Sequence, residues 1–230
     1  MYENKTDQTE LLLKILRELQ KVNALNDIVL IGSWCKIFYR QIFDTDEISI
    51  LRTSDIDFCV KQNLKTKNNV DIDSMLIGLG FDQDFHNDGL IKYAHPDLEV
   101  QFITNEIGKG KIPNVYDIDA YHIKAEGIRF VDILLENTIT HKFEDIVIKL
   151  PNPEIFVLQK ILICDQRIDL SKKEKDITSA SEIASLCFKD SNRRECMKNL
   201  LNKLPKKWQA RIKEKVFSEP DLQHIKIIFD

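Results

Sequence analysis

The stretch Thr53-Ser54-Asp55-Ile56-Asp57-Phe58-Cys59-Val60 decides how this chain reads. Side chains alternate along a strand, so Asp55 and Asp57 share one face with their Cα atoms roughly 6.6 Å apart, and Ile56 and Phe58 share the other. Two carboxylates so close repel each other unless a cation lies between them, and hard divalent ions take such oxygens as ligands. An Asp-x-Asp pair alone is a weak signal. The chain also carries Asp44/Asp46, Asp71/Asp73, Asp82/Asp84 and Asp117/Asp119, whose ordinary reading is solvated surface or the start of a helix.

Context upstream promotes Asp55/Asp57 over the others. Asp27-Ile28-Val29-Leu30-Ile31 is an apolar run of strand length, Gly32-Ser33 follows, and Trp34 to Phe43 alternates with helical spacing. A Gly-Ser between strand and helix lets backbone N–H groups and a hydroxyl approach a phosphate at the positive end of the helix dipole. A phosphate cradle followed by a metal-binding strand is the layout of a nucleoside-triphosphate site.

In these residues the chain resembles the nucleotidyltransferase superfamily with the polymerase-β-like fold. That signature is an apolar strand ending in Gly-Ser or Gly-Gly, an Asp-x-Asp strand, and a third carboxylate on a neighbouring strand. The connection from Lys36 to Arg52 is longer than in the most compact members. The resemblance places the third acid on a strand antiparallel to the Asp-x-Asp strand, and Glu99 in Leu98-Glu99-Val100-Gln101-Phe102 fits, with Leu98, Val100 and Phe102 on the opposite face. Asp97 competes, but it follows Pro96 in a turn. The resemblance implies two Mg²⁺ ions on Asp55, Asp57 and Glu99, β/γ-phosphates held by Gly32 and Ser33 with Lys160 neutralising their charge, and transfer of a nucleoside monophosphate from a nucleoside triphosphate to an acceptor with release of pyrophosphate.

Composition bounds the rest. The 230 residues are 43% apolar and 30% charged, an ordinary globular composition with room for one large domain or two small ones. No apolar run approaches a membrane span and the first residues lack a signal-peptide core, so a cytoplasmic protein with no membrane association is expected. Five cysteines (35, 59, 164, 187 and 196) include no C-x-x-C pair, and buried free thiols are expected. The five histidines have no metal-ligand spacing.

Along the chain, Asp7 and Glu10 read as a capping box opening an amphipathic helix to about Ala24. Asp71 and Asp73 open a helix that Gly80 stops. Residues 81–85, 90–94 and 98–104 read as short strands joined by Asn87-Asp88-Gly89 and His95-Pro96-Asp97 turns. Gly108-Lys109-Gly110-Lys111 reads as a basic loop, and the runs 131–135, 138–143 and 146–150 as strands or a covering hairpin, with helix open for the first.

Asn152 and Pro153 then start a helix apolar almost all round, with Lys160 in its middle. An unpaired ammonium there would be costly, so Lys160 must reach an anion. Two are available: a carboxylate such as Asp176, or the nucleotide that a lysine on this helix contacts in the resembled family and in nucleotidyltransferase toxins of the abortive-infection type. Ser171 and Glu174 read as a second capping box, helices are expected over 191–204 and 205–217, and Ile225 to Phe229 reads as a final strand. Residues 189–215 hold ten Lys/Arg against three acids, a charge of +7 in a chain whose net is −4. Such a basic end steers an RNA acceptor or is a solvated helix pair.

The expected architecture is therefore α+β: a small mixed nucleotidyltransferase sheet flanked by helices over residues 1–150, followed by a C-terminal helical domain over 151–230. The rival within the same fold is a catalytically degenerate nucleotide-binding protein, such as a toxin–antitoxin component. Intact Asp55, Asp57 and Glu99 count against it. A Mg²⁺ phosphatase or glycosyltransferase is the other rival, but an aspartyl phosphatase places a Gly-Thr/Val turn where this chain has Phe58-Cys59-Val60.

Overall fold

The structure, a computed structural model, describes residues 3–50, 53–64, 66, 69–108 and 114–229. In order the elements are α1 (Glu3–Lys21), β1 (Val29–Ile31), α2 (Cys35–Ile42), β2 (Asp55–Cys59), α3 (Ile72–Gly78), β3 (Asp82–Phe85), β4 (Ile91–Ala94) and β5 (Glu99–Asn105). Then come β6 (Val115–Ile118), β7 (Ile123–Ile128), α4 (Asp132–Glu136), β8 (Thr138–Phe143) and β9 (Ile146–Pro151). Four helices close the order, α5 (Pro153–Ile163), α6 (Leu170–Cys187), α7 (Ser191–Lys203) and α8 (Lys206–Ser218), before a 3-10 segment over Pro220–Phe229. The fold is α+β. The chain divides into two compact units, Met1–Phe38 with Leu51–Leu150 and Tyr39–Ile50 with Pro151–Asp230, so the division falls inside α2. No helix among the described residues is long and apolar enough to cross a membrane.

In the first unit seven strands form one mixed sheet, with β1, β2, β5, β4 and β3 adjacent in that order. β1 runs antiparallel to β2, and β2 runs parallel to β5. The expectation of an antiparallel third-acid strand is corrected here: α3, β3 and β4 lie between β2 and β5 in the chain, enough length to bring it back in the same direction. One edge of β5 is shared, its start pairing with β4 and its end with β7. Phe58 and Phe102, register partners on β2 and β5, stack with ring centroids 5.9 Å apart, and Tyr93 meets Phe102 edge-on at 6.1 Å. This apolar face is buried, whereas Asp55, Asp57, Glu99 and Gln101 on the other face are only half-buried.

Several boundaries differ from the sequence expectation. α1 starts at Glu3, so Asp7 lies inside the helix rather than capping it, while the Leu12, Ile15, Leu16 and Leu19 stripe is buried as its spacing predicts. β6 and β7 are strands for which the sequence offered no expectation, and 131–135 resolves into α4 ahead of the β8–β9 hairpin. Lys109 to Lys111 lie outside the described residues.

The second unit is helical. Asn152 caps α5 by accepting from the Ile155 N–H at 2.8 Å, and every residue of that helix is buried. α6 is capped by Asp169, which accepts from the Ser171 N–H, rather than by a Ser171/Glu174 box. The segment expected as a final strand is 3-10 helix, and its buried residues Leu222, Ile225 and Ile228 recur every three positions, the period of that helix. Four cysteines are buried and Cys196 is exposed, which corrects the expectation for that thiol.

Candidate functional site

The polar face of the sheet is built outward from Asp57. The antiparallel register sets Ile31 opposite Asp57, so the chain leaving β1 turns directly against that carboxylate. Gly32 adopts φ +75°, and a Cβ there would stand 2.5 Å from Asp57 Oδ2. Only glycine tolerates both the backbone angle and the approach. Gly32, Ser33 and Trp34 make one 3-10 turn into α2, with the Cys35 N–H bonded back to the Gly32 and Ser33 carbonyls. On its other side Asp57 accepts a hydrogen bond at Oδ1 from the Gln101 amide. The carboxylate is thus fixed between a glycine and an amide.

Asp55 and Glu99 are direct register partners across β2 and β5, and Asp57 is partnered by Gln101. The pairing is anchored by the Glu99 N–H donating to the Ser54 carbonyl at 2.8 Å, and Ser54 Oγ donates to Asp55 Oδ1 at 3.0 Å. The three carboxylates named from sequence therefore stand on one face at adjoining positions, with Gly32 and Ser33 at its rim.

Two residues of this face were not singled out from sequence. Gln101 repeats at β5 the i, i+2 spacing of Asp55 and Asp57, a signal that was legible. Lys92 carried none: it lies on β4, where Ala94 pairs with Glu99, and its Nζ donates to Glu99 Oε1 at 2.8 Å. Burial alone would lower the Lys92 pKa, but the Glu99 hydrogen bond and the charges of Glu99, Asp55 and Glu126 outweigh it and raise it. Lys92 is an ammonium throughout the physiological range.

The donor set suits a hard divalent cation: carboxylate oxygens of Asp55, Asp57 and Glu99, with no soft ligand among them. Among the described residues, however, no three His, Cys, Asp or Glu side chains surround one point. Lys92 holds an oxygen of Glu99, and Gln101 holds one of Asp57. The residues fit the ion by chemistry, and the side chains are committed elsewhere.

The other aspartate pairs have structural roles or lie at the surface. Asp71 caps α3, accepting from the Ser74 N–H at 2.9 Å and from its hydroxyl at 2.7 Å. Asp73 accepts from Gln83 and Tyr93. Asp117 pairs with Lys124 at 2.7 Å, and Asp119 is exposed.

Lys160 belongs to the second unit. Its ammonium donates to Asp176 Oδ1 at 2.6 Å, and Arg167 Nε donates to Oδ2 at 2.8 Å. Asp176 is almost fully buried. Within 189–215, ion pairs among the described residues join Lys189 to Glu47, Arg193 to Glu154, and the buried Lys215 to Asp165 and Glu219.

A family profile described as nucleotidyltransferase matches residues 10–200. The crystal structure of an antigenic nucleotidyltransferase-like protein from Paracoccidioides brasiliensis superposes with a TM-score of 0.54 at 17% sequence identity, covering 94% of this chain and 92% of that one. That likeness is one of fold. No curated protein sequence matches the chain significantly.

Proposed function

Because the chain belongs to the nucleotidyltransferase family, we propose that it transfers a nucleoside monophosphate from a nucleoside triphosphate to an acceptor hydroxyl or phosphate, with release of pyrophosphate. The observation that carries this reading is the single polar face on which Asp55, Asp57 and Glu99 stand beside the Gly32-Ser33 turn. In the reaction the acceptor oxygen bonds to the α-phosphorus, the bond from that phosphorus to the bridging oxygen breaks, and pyrophosphate leaves.

Asp55 and Asp57 would hold divalent metal, Mg²⁺ in this reading, and Glu99 would complete its shell. Two such ions, when bound, stabilise the attacking and leaving oxygens. Gln101 and Gly32 keep the Asp57 carboxylate in one orientation, so no reorganisation is left for the moment of transfer. Glu99 takes the proton of the acceptor. Backbone N–H groups of the Gly32–Trp34 turn and the Ser33 hydroxyl bind the β- and γ-phosphates. Of the two roles open to Lys160, the reading assigns it the partner of buried Asp176 rather than a phosphate ligand. RNA is one acceptor class, through the exposed lysines of the 189–215 region.

The test is incubation of the protein with each radiolabelled nucleoside triphosphate, Mg²⁺ and cell extract. A labelled product that depends on Asp55 and Asp57 names both the nucleotide and the acceptor. Triphosphate binding with no labelled product under any condition would leave a nucleotide-binding relative that has lost transfer.

A further inference from the structure

We propose that Lys92 is a built-in counter-cation for the third carboxylate, held on Glu99 in the metal-free protein and displaced by the divalent ion that the site takes up. The inference rests on the metal-binding role assigned above to Asp55, Asp57 and Glu99.

The placement is specific. Ala94 pairs with Glu99, and Lys92, two residues earlier on β4, projects from the same face with its Nζ 2.8 Å from Glu99 Oε1. The two side chains are 21% and 30% exposed, too enclosed for an incidental surface pair. Asp55 stands next to Glu99 across β2 and β5, so the ammonium offsets a repulsion between two adjoining carboxylates.

A divalent ion shared by Asp55, Asp57 and Glu99 needs the oxygens that Lys92 draws aside, and it would bring two positive charges beside a third. Lys92 holds Glu99 Oε1, so an ion that takes that oxygen must displace the ammonium. Among the described residues the carboxylates do not form a ready cluster of three. A lysine suits the task because its compact charge rides on a flexible four-carbon stem and can leave for solvent once displaced. Metal uptake is thereby coupled to release of Lys92, which until then offsets one of the three carboxylate charges.

The experiment titrates Mn²⁺ into the full chain and follows free Mn²⁺ by electron paramagnetic resonance, for the wild type, Lys92→Met, Lys92→Arg and Asp55→Asn. Lys92→Met should bind on the order of tenfold more tightly than wild type, because a unit charge a few ångströms away near a protein surface is worth at least that factor. Lys92→Arg, which keeps the charge, should stay close to wild type, and Asp55→Asn should weaken binding. Binding by Lys92→Met where wild type shows none would mean that the lysine blocks the site rather than yielding to the ion, and would overturn the displacement. If Lys92→Met binds no more tightly than wild type while Asp55→Asn abolishes binding, Lys92 is a permanent structural partner and only this inference falls. If Asp55→Asn binds as the wild type does, the carboxylates hold no metal, and the site reading falls with it.

Should Lys92→Met fail to fold, wild-type protein labelled with ¹³C-lysine gives the answer. The Lys92 ¹³Cε resonance, assigned by its loss in Lys92→Arg, should shift on adding Mg²⁺ and stay fixed in Asp55→Asn. A Lys92 resonance indifferent to Mg²⁺ in the wild type overturns the proposal.

Discussion

Asp55 and Glu99 face each other in register on parallel strands, their Cα atoms one strand spacing apart and their side chains on one face. Two carboxylates side by side repel each other unless a cation or a shared proton offsets the charge, and here the Lys92 ammonium contacts one of them. In the proposed function this pair, extended by Asp57 two residues on, receives the metal. Asp55→Asn and Asp57→Asn each remove one of the oxygens that would hold metal while keeping shape. Each should fold normally, with a melting temperature equal to or above that of wild type as repulsion is relieved. Each should also lower transfer by several orders of magnitude, and the double mutant should be scarcely worse than either, because residues acting as one unit are not additive. Single-turnover assays with the labelled triphosphate, paired with thermal melts, read both quantities. Two variants with wild-type transfer would place the chemistry elsewhere.

Gly32 offers a test with the opposite signature. A methyl group there meets Asp57 Oδ2 at 2.5 Å and sits on a backbone angle of +75°. Gly32→Ala should cost about 1–3 kcal/mol in urea denaturation through backbone strain alone. It should also push Asp57 from its bond with Gln101 and reduce transfer at least as strongly as it reduces stability. A variant as stable and as active as wild type would mean that Asp57 moves freely, and the fixed carboxylate assigned here would be wrong.

What was legible in the sequence tracks how local each signal is. The Asp55–Val60 alternation and the Gly32-Ser33 break are properties of a few adjacent residues, and both emerged at the expected positions. So did the Asn152–Pro153 helix start, whose cap lies within four residues. The direction of β5 relative to β2 was not legible, because it depends on how the segment between them returns. Lys92 was hidden for the same reason. Its partner Glu99 lies across a turn, and a lysine in a strand pattern of Ile91, Lys92 and Tyr93 reads as an ordinary solvent-side residue. The capping boxes at Asp7 and Ser171 failed for different reasons: α1 begins before Asp7, and Asp169 reaches the Ser171 N–H first.

Lys160 separates two roles by measurement. Asp176 is almost wholly buried and depends on Lys160 at 2.6 Å and on the more exposed Arg167 at 2.8 Å. Lys160→Met leaves that carboxylate with one partner, so stability should fall by about 2–4 kcal/mol in denaturant titration, near the range for breaking a buried pair. Lys160→Met with Asp176→Asn together should lose less than Lys160→Met alone, since the orphaned charge is then gone. Affinity for the triphosphate, measured by calorimetry below the unfolding transition, should not change. A tenfold loss of triphosphate affinity with stability intact would instead assign Lys160 to the nucleotide.

The basic helices admit a similar division. Lys215 is buried between Asp165 and Glu219, at 3.3 and 2.9 Å, and so is spoken for by its own unit. Lys206 and Lys207 are exposed at the start of α8, where no carboxylate pairs with them among the ion pairs of the described residues. If the acceptor is RNA, these two neutralise phosphates and Lys215 does not. Lys206→Gln with Lys207→Gln should then weaken RNA binding at low salt and flatten the dependence of log affinity on log salt by about 1.4 for a single strand, roughly 0.7 for each phosphate no longer neutralised. Lys215→Gln should leave that slope unchanged and lower stability instead. Filter binding across a salt series, beside thermal melts of the same proteins, distinguishes the two. An unaltered slope in the Lys206/Lys207 double variant would make α8 a solvated face and turn the search for an acceptor toward proteins and small molecules.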